Sequence, residues 1–433
     1  MNTQSQKIHI ITLGCAKNTV DSEVLQSQLR NNDFILTSTI TNADIAIINT
    51  CGFIEAAKQQ SIDTILNAVE RKNKGTLDKV FVMGCLSERY HKELAKEIPE
   101  VDKFFGSNEL PRILKELGAE YKHHLLGERE LSTPSYYAYL KISEGCDNPC
   151  SFCAIPLMRG KHRTKPVEEI MQEVMNVVQK GVKELIVIGQ DTTYYGLDLY
   201  GERKLSSLLT SLASVKELEW IRLMYAYPAK FPLDVLDVIA DNPKICRYID
   251  IPIQHAADNV LKSMRRGITR RALTELLHKI REKIPNIAIR TTLITGYPNE
   301  TEKDVEELIQ FMKEVQFDRL GVFTYSQEDG TVAFDLGDTL SEKEKEQRKA
   351  YIMETQQQIS LSQNEKRIGK QTKVIIERKE NEHYVGRTEW DAPEIDNEIF
   401  IPFSEKYNFS IGDFAKVTIT DAMEYDMVGE VIK

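Results

Sequence analysis

The chain has 433 residues, 41% of them hydrophobic, with 56 basic and 66 acidic side chains and a formal net charge of −10. That length can bury a sizeable core and suggests two to four domains, while the acid excess gives no general invitation to nucleic acid. No stretch approaches the ~20 apolar residues of a membrane span, and the opening MNTQSQKIHIITLG carries no signal-peptide pattern, so a cytoplasmic protein without membrane contact is expected.

Residues 1–132 alternate strand and helix signals. KIHIITLG, ADIAIINT and KVFVMG read as strands, and amphipathic stretches such as VDSEVLQSQLR and SERYHKELAKEI follow them. Continuous apolar strands between such helices predict a parallel sheet covered on both faces, a Rossmann-like α/β domain. Cys15 follows the first strand, Cys51 the second and Cys85 the third. The carboxyl ends of neighbouring parallel strands form the ligand crevice of an open sheet, so the three thiols are expected to converge there. Three unrelated buried cysteines are the blander alternative.

Residues 133–340 repeat the alternation six times, with strands predicted in AYLKIS, ELIVIG, WIRLMYA, YIDIPI, IAIRTTLITG and RLGVFTYS. Six units are two short of a full eight-unit barrel, which predicts a partial (β/α)6 barrel open at one side. Residues 341–369 are polar and free of proline, and they predict a long surface helix connecting two domains. Residues 370–433 hold five short strand patterns, TKVIIE, HYVGRT, EIFIPF, FAKVTITDA and MVGEVI, the rhythm of a small β-barrel.

Seven cysteines, an odd number, argue against a disulfide framework and for metal ligation or catalysis. The stretch EGCDNPCSFCAIPLMRG places Cys146, Cys150 and Cys153 in a C-x3-C-x2-C spacing. A structural zinc closes with four protein ligands, and a four-iron cluster wants one thiolate per iron. Three cysteines would leave one iron open to a small molecule. Zinc ribbons usually show two C-x2-C pairs, and here only Cys150 and Cys153 form one. The remaining thiol, Cys246 in NPKICRYID, reads as a buried structural residue.

C-x3-C-x2-C after the first strand of a partial barrel is similar to the radical S-adenosylmethionine (SAM) superfamily. The whole chain resembles the methylthiotransferases within it: LGCAKNTVDSE, NTCGFI, MGCLSERY, DIPIQH and TGYPNET all match. LGC-x-KN-x-VDSE and SEGCDNPCSFCAIP resemble the branch that methylthiolates an aspartate β-carbon of small-subunit ribosomal protein twelve, giving 3-methylthioaspartate. The tRNA-modifying branch tends to carry YGCQMN-like and EGCDKYCTFC-like versions instead.

The resemblance implies two [4Fe–4S] clusters, one on Cys146, Cys150 and Cys153 and an auxiliary one on Cys15, Cys51 and Cys85. It implies two SAM molecules per turnover, one methylating a sulfur held at the auxiliary cluster and one supplying a 5′-deoxyadenosyl radical. A reducing electron donor and a sulfur donor are implied as partners. It also implies that residues 370–433 are a TRAM module. From Gln371 to Lys433, seven basic against fourteen acidic residues disfavour RNA as direct substrate and suit recognition of a basic ribosomal protein. An adenosine of tRNA as substrate, or a non-catalytic metal-binding sensor, are the competing readings.

Around these cysteines, Gln190 and Asp191 end the second barrel strand, where a contact to SAM or substrate and a plain polar strand end are equal readings. Arg159 follows the cysteine loop and could meet a carboxylate of SAM or substrate in bidentate fashion, or form a surface salt bridge. Lys17 and Asn18 follow Cys15 and could tune an auxiliary cluster through hydrogen bonds.

Overall fold

The computed structural model describes residues 6–432. Its N-terminal unit holds strands β1 (Lys7–Thr12), β2 (Ile35–Leu36), β3 (Ile45–Thr50), β4 (Lys79–Gly84) and β5 (Lys103–Phe104), with helices α1 (Ala16–Arg30), α2 (Glu55–Asn73), α3 (Cys85–Glu97) and α4 (Leu110–Glu116). The strands pair in parallel in the order β2-β1-β3-β4-β5. The strand period of two explains the double cover. Ile45, Ile47, Phe81 and Met83 face one apolar layer, and Ala46, Ile48, Val80 and Val82 the other. The two-residue edge strands β2 and β5 carry too little pattern to stand out in the sequence.

The second unit begins with β6 (Tyr137–Lys141) and the short β7 (Ser143–Glu144), then α5 (Ile155–Arg159), β8 (Arg163–Thr164), α6 (Val167–Gln179), β9 (Glu184–Ile188), α7 (Leu197–Tyr200), α8 (Leu205–Ala213) and β10 (Trp220–Leu223). It continues with α9 (Asp234–Asp241), β11 (Ile245–Asp250), α10 (Asp258–Ser263), α11 (Arg270–Lys283), β12 (Ala288–Thr295), α12 (Glu302–Val315) and β13 (Arg319–Thr324). Six of these strands form one parallel sheet, β13-β12-β11-β10-β9-β6, whose edges β13 and β6 do not pair. This is the expected partial barrel.

β11 starts three residues before YIDIPI, where Ile245 and Cys246 are already buried, and it ends at Asp250, ahead of Pro252, which has no N–H to continue the ladder. Cys246 is indeed a buried thiol, which burial pushes up to about 12.

Helix α13 (Glu342–Glu365) starts at Ser341, whose side chain and that of Glu344 cap each other's backbone N–H. It is not simply a surface connector. Lys345, Gln356 and Asn364 are buried polar residues on it, and Arg348 donates to Glu300 at 2.6 Å. Its inward face carries these polar residues among Ile352 and Ile359, which hides burial from a hydrophobicity pattern.

The last unit closes β14 (Gln371–Glu380), β15 (His383–Thr388), β16 (Ile399–Pro402), β17 (Phe414–Ala422) and β18 (Met427–Val431) into a barrel ordered β14-β15-β16-β18-β17. Its acidity is partly spent inward, contrary to the expectation of an open acidic surface. Asp391 accepts from Arg319 Nε at 2.7 Å, and Asp396 from Tyr248 at 2.7 Å and Arg290 at 3.2 Å. Glu394 accepts from Tyr137 at 2.8 Å, and Arg387 bridges Glu377 to the buried Glu184. These pairs dock the small barrel against the second unit.

Candidate active site

Cys15, Cys51 and Cys85 stand just after β1, β3 and β4, which are adjacent in the sheet. Glycines let the three turns approach. At Gly14 (φ +92°) a Cβ would lie 2.7 Å from Cys51 Cβ, and at Gly52 one would lie 2.8 Å from Leu86 Cα. Asn18 stiffens the arrangement from below, donating to Leu13 O at 2.7 Å and Thr50 O at 3.0 Å. Cys85 opens α3 but is deeply buried, and burial pushes its thiol up to about 12. Burial also raises Cys51.

Arg159 is not on the surface. It is 3% exposed and reaches from α5 into this triad, donating from Nε to Cys85 Sγ at 3.2 Å. Its Nη1 donates to Asp21 at 2.6 Å and Glu144 at 3.3 Å, and its Nη2 to Asn18. Lys141 also donates to Glu144, at 2.7 Å, and Gln190 does so at 2.8 Å. Burial alone would raise the Glu144 carboxyl, but Lys141 and Arg159 outweigh it and hold it at about 2. Arg159 thus ties the N-terminal unit to the barrel through charge, and its acidic partners are Asp21 and Glu144.

Cys146, Cys150 and Cys153 lie in the loop between β7 and α5. The loop turns at Gly145 (φ +78°), where a Cβ would come within 2.1 Å of Lys161 O. Asn148 anchors it by donating to Asp191 Oδ2 at 2.8 Å. The other Asp191 oxygen accepts from the Thr193 backbone at 2.9 Å and its hydroxyl at 2.7 Å. Both carboxylate oxygens of Asp191 accept hydrogen bonds from the protein, which anchors the cysteine loop at this strand end. Burial raises the Cys146 thiol to about 11 and that of Cys153 to about 12. Arg266 donates to Cys150 Sγ at 3.1 Å and stacks over Tyr227 at 4.3 Å.

All six cysteines line one cavity of about 400 Å³ between the two units. Gln190 lines it too, with its amide oxygen buried and unpartnered; Asp191 does not. Phe53 and Phe323, 41% and 50% exposed, stand among the lining residues and give the wall exposed apolar area. Arg266, Tyr225, Tyr227 and Phe323 were not singled out by sequence reasoning. MRRG and AYP carry no pattern by themselves, and only the barrel's curvature brings them beside the cysteine loop.

Among the described residues, no group of three or more His, Cys, Asp or Glu is arranged to hold a single metal ion. Each triad instead offers three thiols to the one cavity, a donor set that suits ligands each taking a different corner of a larger inorganic core.

An open six-stranded barrel beside an α/β unit is also the architecture of known radical SAM enzymes. The chain matches TsrM from Kitasatospora setae, a radical SAM methyltransferase solved with cobalamin and a [4Fe–4S] cluster. That match has a TM-score of 0.57 at 13% identity, over 76% of this chain and 77% of that one. It also matches the cobalamin-dependent radical enzyme OxsB, with a TM-score of 0.52 at 15% identity over 80% and 56%. These likenesses show the fold. Residues 7–106 match the uncharacterized protein family UPF0004, 140–312 the radical SAM superfamily and 368–432 the TRAM domain.

Closer relatives narrow the class. The ribosomal protein uS12 methylthiotransferase RimO of Cytophaga hutchinsonii is 54% identical over 432 residues, 99% of each chain. That of Flavobacterium johnsoniae is 54% identical over 436 residues, 99% of this chain and all of the other. The chain belongs to the RimO family of radical SAM methylthiotransferases.

Proposed function

We propose that the protein is a radical SAM methylthiotransferase that places a methylthio group on an aspartate β-carbon of ribosomal protein uS12. In this reading Cys146, Cys150 and Cys153 hold the [4Fe–4S] cluster that meets SAM, and Cys15, Cys51 and Cys85 hold a second. The observation that carries it is the convergence of six thiols from two folding units on one cavity.

When bound, the clusters and SAM supply a reducing electron, a carbon-centred radical and a transferable sulfur, chemistry no side chain here offers. The chain's own residues do the rest. Arg159 and Arg266 each place a guanidinium donor on one cysteine sulfur, at Cys85 and Cys150. The Asn148–Asp191 bond fixes the cysteine loop. Phe152, Tyr225 and Tyr227 give the cavity wall aromatic surface that would limit water beside the bound group. The buried, unpartnered oxygen of Gln190 offers an acceptor to a donor group of SAM or substrate.

Anaerobic reconstitution with iron and sulfide, followed by incubation with uS12, SAM and a reductant, tests the reading. A methylthio group replacing one hydrogen on a single aspartate-bearing peptide is expected. Modification of a tRNA adenosine in its place, or SAM cleavage with no product on the protein, would contradict it.

A further inference from the structure

Among the described residues, three cations line the cavity and no aspartate or glutamate does. Arg159 and Arg266 each contact one triad, the first at Cys85 and the second at Cys150. Arg159 also has acidic partners in Asp21 and Glu144. Lys17 is different. It is 7% exposed, yet among the described residues its ammonium has neither a hydrogen bond nor an ion pair. It lies instead over the face of Tyr225, 3.0 Å from the ring centroid. Tyr225 sits just beyond β10 in the barrel and Lys17 in the first turn of α1, so this contact spans the gap between the two units.

The side chain is buried and lines the cavity, and a cation in such a cleft gains most from an anion that arrives with a ligand. Four irons bound by three thiolates keep roughly one negative charge, and each triad already has its own guanidinium, which leaves Lys17 uncommitted. Its cation–π seat on Tyr225 keeps the ammonium in place and partly desolvated before any anion arrives.

We infer that Lys17 binds the carboxylate of the target aspartate and makes the site selective for an acidic side chain over its amide. This rests on the methylthiotransferase reading and deepens it. A carboxylate held there sets its own β-carbon one bond away, in the space between the two triads. An asparagine in the same place could still accept a hydrogen bond but would leave the ammonium without a counter-charge and lose the stronger charge-assisted bond. Lys17 is therefore a specificity-determining residue.

The test compares binding of uS12 and of uS12 with the modified aspartate changed to asparagine. Binding is titrated on the iron-loaded chain, with iron measured for each variant. The wild type is expected to prefer the aspartate form at least about tenfold. Lys17→Met should bring the two forms to within about twofold, Lys17→Arg should keep most of the preference, and SAM affinity should stay unchanged. An unchanged preference in Lys17→Met, or a loss of SAM affinity instead, would overturn the inference. A wild type with no preference overturns it even where Lys17→Met fails to fold. A chain that prefers aspartate but adds no methylthio group leaves Lys17 as the carboxylate reader and removes the reaction proposed above.

Discussion

The two cysteine triads face one cavity but are built in opposite ways. Cys146, Cys150 and Cys153 come from a single loop, held by a glycine turn and one side-chain anchor. Cys15, Cys51 and Cys85 come from the ends of three strands and meet only when the whole sheet is formed. The first is a local structure that a short peptide pattern can encode. The second is a property of topology, and it leans on Arg159 from the other unit for part of its electrostatic support. Damage to the seam between units should therefore strip the distributed triad first and spare the local one.

The largest contrast comes from removing one thiol on each side. Cys150→Ala should abolish SAM cleavage, while Cys51→Ala should still cleave SAM to 5′-deoxyadenosine and make no methylthio product. Measuring both products for both variants checks this. Equal loss of SAM cleavage in the two would mean the triads do not have separate jobs.

Arg159→Met should come next. It leaves the Asp21 and Glu144 carboxylates with Lys141 as their one remaining cation, at a cost of about 3 kcal/mol in unfolding free energy. Urea unfolding measures that cost. Iron should be lost from the distributed triad and kept in the local one, so equal loss from both would argue against a seam-dependent triad.

A smaller effect is expected at the other anchor. Asp191→Asn weakens the hold on Asn148 and should lower iron retention against a chelator about 10–100-fold, at the local triad alone. The smallest difference concerns the iron-free chain. Burial raises Cys85 and Cys153 alike to about 12, so both should alkylate slowly at pH 8 and at similar rates. Each rate should then rise about tenfold per pH unit as thiolate forms. Mass spectrometry of the alkylated peptides across pH reads the two sites together, and a fast Cys85 beside a slow Cys153 would show unequal burial.

The strand ends that carry Cys15, Cys51 and Cys85 were legible because buried parallel strands are continuous apolar runs, and a cysteine right after each run has one place to go. The open barrel was legible from a sixfold repeat. What stayed hidden was pairing between distant polar groups. Arg159 in MRGKHR looks like any exposed arginine, and only the docking of α5 against α3 shows that it is buried beside Cys85. Asp191 sits where a ligand contact and a plain polar strand end read equally well, and its oxygens go to Asn148 and Thr193. The acids of the last module count toward net charge in sequence, yet Asp391, Asp396 and Glu394 spend theirs on the barrel. Sequence reports how many charges there are, and packing decides which remain free.

Two separate inorganic cores in one chain are the heart of this account, and counting metal tests it most directly. After anaerobic reconstitution, iron and acid-labile sulfide should each reach about eight per chain, falling to about four in Cys51→Ala and about four in Cys150→Ala. About four irons in the wild type, unchanged by Cys51→Ala, would mean that the three strand-end thiols bind no cluster.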